Sequence, residues 1–99
     1  MITITKPYIQ GNNVDPNNLL FQEVYFRALS ETGNCTRKCN INDKIAEFIK
    51  NKEVRFTGDI KNNWQVSTGY CQQQKKEEGV VAKNRKGRYT YWYKIEEDN

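Results

Sequence analysis

The chain has 99 residues, of which 36% are apolar, and a net charge of +4. That length holds one domain, residues 1–99, with a modest core; two Trp, six Tyr and four Phe supply large core pieces and argue against wholesale disorder. There is no histidine and no Gly-rich phosphate loop, which removes the usual acid–base group near neutral pH and the common catalytic triads, so neither catalysis nor a cofactor is expected.

Along the chain, Ile2-Thr3-Ile4-Thr5 alternates apolar and polar ahead of Pro7, which predicts a short strand or arm. GNNVDPNN over residues 11–18 is rich in turn formers. Asp15-Pro16 then predicts a helix start, with Asp15 as N-cap and Pro16 in the first turn. Leu19, Leu20, Phe21, Val24, Tyr25, Phe26, Ala28 and Leu29 are too many for one narrow stripe. They predict a helix covered on two sides, by its own core and by a second subunit, so residues 1–33 read as an N-terminal extension that forms a homodimer. Gly33 suits the left-handed C-cap.

NCTRKCN, residues 34–40, reads as a polar loop. A second helix is expected from Asn40 or Asn42, because Ile41, Ile45, Phe48 and Ile49 fall at helical spacing. Val54-Arg55-Phe56 is a short extended piece. Thr57 is placed to cap a short helix over about residues 58–64. Gln65-Val66 would turn the chain, and Ser67 would cap a further helix that Gly79 stops. Residues 80–83 and 88–95 predict a hairpin turning at Arg85-Lys86-Gly87. The tail EEDN is expected to fray.

Charge is concentrated in the last third. Residues 75–94 hold seven Lys/Arg against two Glu, while residues 1–74 hold nine against seven acids. A local excess of this kind is the footprint of a polyanion binder, although charge runs are more often solvated faces. In the hairpin, alternation puts Tyr89, Tyr91, Tyr93 and Ile95 on one face and Arg88, Thr90, Trp92 and Lys94 on the other. The tyrosine face is expected to pack on the helices, which leaves Trp92 outward and without an assigned partner.

FTGDI (56–60), WQVS (64–67), EEGVV (77–81) and NRKGRYTYWYKI (84–95) together resemble the winged helix-turn-helix family, over residues 41–95. The resemblance implies an α+β fold with a C-terminal β-hairpin wing, and binding of double-stranded DNA. Residues Ser67, Thr68, Gln72 and Gln73 at the start of the recognition helix would meet base edges or phosphate. Lys75 and Lys76 would add backbone attraction, and Lys83, Arg85, Lys86 and Arg88 would carry the wing's phosphate contacts. One departure shifts weight toward the wing: past Tyr70 and Cys71 the family's apolar positions read QQQKKEE.

More narrowly, the size, N-terminal extension and Lys/Asn/Ile-rich composition resemble the relaxosome accessory proteins of conjugative plasmids. That resemblance implies binding at an origin of transfer beside a relaxase. A plasmid or phage transcriptional regulator fits the same residues. A single-stranded nucleic-acid binder and a protein-interaction adaptor are the further alternatives.

Cys35, Cys39 and Cys71 are odd in number, which disfavours a disulfide framework and suits a reducing cytoplasm. With no histidine they fall one ligand short of a structural zinc site, so no metal is expected. No apolar run reaches membrane-spanning length and nothing at the N-terminus resembles a signal peptide.

Overall fold

In a computed structural model, the structure describes residues 1–8 and 16–95. The Asp15 cap, most of the expected 11–18 turn and the tail EEDN lie outside the described residues. The elements run β1 (Ile2–Ile4), α1 (Pro16–Glu31), α2 (Lys38–Lys50), β2 (Val54–Phe56), a 3-10 turn (Gly58–Ile60), α3 (Trp64–Glu77), β3 (Val81–Lys86) and β4 (Tyr89–Lys94). The class is α+β: three α-helices, a parallel pair β1–β2 and an antiparallel hairpin β3–β4.

Helix α1 closes as a Schellman motif. Gly33, at φ 107°, donates to Ser30, and Asn34 donates to Leu29. Its buried apolar residues are Phe21, Val24, Tyr25, Ala28 and Leu29, while Leu20 and Phe26 are half-buried against the same core. Both apolar sides of α1 are thus largely covered within one chain, and among these residues only Leu19 is exposed, at 50%. The width that points to a second subunit belongs to the chain's own core.

Helix α2 starts at Lys38, earlier than expected, with Arg37 in the cap position and no side-chain cap bond. The segment before it is not simply a loop. Thr36 and Trp92 exchange two backbone hydrogen bonds, of 2.9 and 2.7 Å, which strap this segment to β4. Ile41, Ile45 and Phe48 are buried, as their spacing predicts.

Strands β1 and β2 pair Ile2 with Val54 and Ile4 with Phe56. The helix expected after Thr57 shortens to one 3-10 turn, and Thr57 makes no side-chain cap bond. Soon afterwards α3 begins, at Trp64, so Gln65-Val66 is the first turn of a helix and not a bend. Trp64 stacks on Phe56 (5.6 Å between centroids, 14° between planes) and anchors this start. Phe21 lies 5.9 Å from Phe56, and Tyr8 lies 6.0 Å from Phe21. This aromatic chain joins the N-terminal segment, α1, β2 and α3 into one core.

Helix α3 ends as α1 does. Gly79, at φ 77°, donates to Lys76, and Val80 donates to Lys75. In the hairpin, Lys86 pairs with Tyr89, which leaves Gly87-Arg88 as a two-residue turn in place of the expected three. Gly87 has φ 63° and Arg88 has no positive φ, the pattern of a type II′ turn, in which glycine takes the first central place.

The two faces of β4 are the reverse of expectation. Trp92 is 8% exposed and Val81 1%, so the Trp92 face is inward. Tyr89, Tyr91 and Tyr93 are on the outward face; Tyr89 is 42% exposed and the other two are half-buried. Trp92 therefore has its partners: Thr36 along the strand edge and the core beneath.

Candidate nucleic-acid interface

The inward face of α3 carries Trp64, Ser67, Thr68, Cys71, Gln72 and Lys75. This revises the expected roles of four residues. Ser67 does not cap a helix; the cap position is Asn63, and the Ser67 hydroxyl accepts a hydrogen bond from the Tyr8 N–H at 3.1 Å. The Thr68 hydroxyl donates to the Trp64 carbonyl inside the helix. Gln72 accepts from the Tyr25 hydroxyl at 3.4 Å, which satisfies a polar group in the core. The Lys75 ammonium is held by Glu78 at 3.2 Å. All four are buried, so none presents its side chain to a groove. Gln73 and Lys76 are half-exposed, while Val66 and Tyr70 are the exposed large side chains of the outward face.

The hairpin is placed differently. Lys83, Arg85, Lys86 and Arg88 are all exposed. Residues 81–94 contain five Lys/Arg and no Asp or Glu. By contrast, Arg27 binds Glu31 and Glu53, and Lys44 lies near Glu31 and Glu47. The Arg85 guanidinium donates to the Gly87 carbonyl at 3.2 Å and is thereby held at the turn.

Two cations that read as part of a polar loop in the sequence join this surface. The Arg37 guanidinium lies over the Tyr89 ring, 4.1 Å from its centroid. Arg37, Lys38, Arg88, Tyr89 and Thr90 line a shallow cleft between the start of α2 and the hairpin, and no carboxylate lines it among the described residues. Lys38 also reaches α3, since a Cβ built on Gly69 would stand 3.0 Å from its ammonium. The only sequence signal for this pair is two adjacent cations between cysteines; the strap from Thr36 to Trp92 brings them to the hairpin.

The strongly shifted groups lie away from this surface. Burial pushes the Cys71 thiol up to about 12; Lys75 works in the opposite sense and Glu78 in the same sense. Burial, with smaller effects of Cys71 and Glu78, raises Tyr8 to about 12. Burial raises Tyr25 further, with Cys71 adding to it. These are core groups held neutral, not poised acid–base groups. Cys35 and Cys39 are exposed and Cys71 is buried. Among the described residues no group of three or more Cys, Asp or Glu side chains is placed to hold a metal ion. Among the same residues no helix is long and apolar enough to cross a membrane.

No protein-family model, no curated protein and no solved structure matches this chain.

Proposed function

We propose that the protein binds double-stranded DNA and that the β3–β4 hairpin, not α3, makes the main contact. The observation that carries this reading is the exposed hairpin tip, with Lys83, Arg85, Lys86 and Arg88 and no carboxylate between residues 81 and 94. Cations displayed this way neutralise phosphates and release condensed counterions, so affinity falls steeply with salt. Arg37 and Lys38 extend the same surface, and Gln73 and Lys76 are partly exposed on α3. In this reading α2, β2, the 3-10 turn, α3 and the hairpin follow the order of a winged helix-turn-helix, with the hairpin as its wing.

Two biological settings fit that role: an accessory factor at a plasmid origin of transfer, working beside a relaxase, or a transcriptional regulator of the winged-helix type. Homodimerisation would pair two wings on neighbouring half-sites. Sequencing of duplexes selected from a random pool distinguishes a specific binder from a general one.

The direct test is Arg85→Ala with Lys86→Ala, titrated against a mixed-sequence duplex over a range of salt. Affinity should drop, and the slope of log K against log salt should shrink by about two, one for each cation withdrawn from a phosphate. Unchanged affinity and slope would remove the hairpin from the interface.

A further inference from the structure

The tyrosine face of the hairpin is not explained by phosphate binding. Tyr89, Tyr91 and Tyr93 alternate along β4 on the side away from the core, opposite Lys86, Asn84 and Ala82 of β3. Residues two apart on a strand stand about 6.8 Å apart. That is roughly twice the 3.4 Å rise per nucleotide of a stacked strand. The spacing suits bases that are splayed apart and does not match a continuous duplex stack.

Tyr89 is exposed, Tyr91 and Tyr93 are half-buried, and this face has cations built into it. Arg37 lies 4.1 Å over Tyr89, and the Lys86 ammonium lies 6.0 Å over Tyr91. The guanidinium covers one face of Tyr89, and its own outer side can take a base in the ring's place. The Arg37, Lys38 and Arg88 cleft runs along the same edge and offers positive charge to a backbone whose bases point at the rings. Aromatic rings set in a positive surface hold single strands by stacking, because every base has a π-face. In a duplex those faces are already occupied by neighbouring base pairs.

We infer that Tyr89, Tyr91 and Tyr93 stack unpaired bases, so that the preferred DNA carries a single-stranded segment beside a duplex. This rests on the reading of the hairpin as the DNA contact. The duplex engages the cations of the turn, and the unpaired strand starts at Tyr89, beside Arg37, and runs over Tyr91 and Tyr93 away from the turn.

The test uses the full chain and two DNAs of the same duplex sequence, one blunt and one with a single-stranded overhang carrying 2-aminopurine. The overhang DNA should bind more tightly than the blunt one, and 2-aminopurine fluorescence should change as its base stacks. Tyr89→Leu with Tyr91→Leu should lower overhang affinity by about fivefold or more and abolish the fluorescence change. Tyr89→Phe with Tyr91→Phe should restore both, because phenylalanine still stacks, and thermal unfolding of each variant verifies that it is folded. Equal affinity for the two DNAs, with no effect of the leucine variant, overturns the inference. If Arg85→Ala with Lys86→Ala still weakens binding in that case, the hairpin reading survives. No binding to either DNA overturns both.

Discussion

Cys71 shows how far a single side chain on α3 departs from a surface role. It is fully buried, and burial holds its thiol protonated up to about pH 12, against an ordinary value of 9.0. A group whose pKa is raised by folding adds stability that is complete below its unfolded pKa and is lost as pH rises toward the folded one. Stability should therefore hold up to about pH 9 and fall between there and pH 12, with Tyr8 adding to the loss above pH 10. Thermal midpoints measured from pH 8 to pH 11 should show this decline, and Cys71→Ala should make it shallower. An equal decline in the variant would place the titrating group elsewhere. Gln72 teaches a related point. From sequence it is a candidate for reading adenine, whereas in the fold its carbonyl accepts from Tyr25 in the core. Nothing in QQQKKEE marks which glutamine is inward, because that depends on the position of a tyrosine 47 residues away.

Among the elements, β4 is legible as a strand and its turn falls nearly in place, yet its faces are inverted. Alternation defines two faces but carries no sign, and rotation of the hairpin exchanges them. Burial of Trp92 decides the sign. Tryptophan has the larger apolar area to hide, while tyrosine tolerates a half-exposed face with its hydroxyl in water. The Thr36 strap then fixes the strand edge against the start of α2. Trp92→Ala should accordingly cost about 3 kcal/mol in urea unfolding, the lower end for a large aromatic removed from a core. A loss below about 1 kcal/mol would mean that Trp92 is not a core residue, since surface substitutions usually stay under that size. Helix α3 is legible in its C-terminal stop, where Gly79 takes a positive φ that other residues avoid. Its start is not, because Trp64 anchors the helix by stacking on Phe56, a contact that no local pattern marks.

For the molecule as a whole, the N-terminal third is core and not an appendage. β1 pairs with β2, α1 contributes Phe21, Val24, Tyr25, Ala28 and Leu29, and Arg27 reaches Glu53 at 2.6 Å. Deleting residues 1–33 should leave an unfolded chain, with no cooperative thermal transition and a random-coil circular dichroism spectrum. A folded, cooperative fragment would show that residues 34–99 hold a sufficient core alone. Local chemistry is enough to specify the α+β class, the buried stripe of α2, the glycine stops, the hairpin and the concentration of charge on it. Periodic apolar positions, backbone conformations open to glycine, and the exclusion of acids from one stretch can all be read along the chain. Three features wait for the folded chain: which face of β4 and of α3 is inward, the joining of Arg37 and Lys38 to the hairpin cations, and the burial of both sides of α1 within one molecule. Each depends on packing between residues far apart in sequence, which buries the largest apolar surfaces first and leaves the polar side chains to pair with whatever then lies opposite.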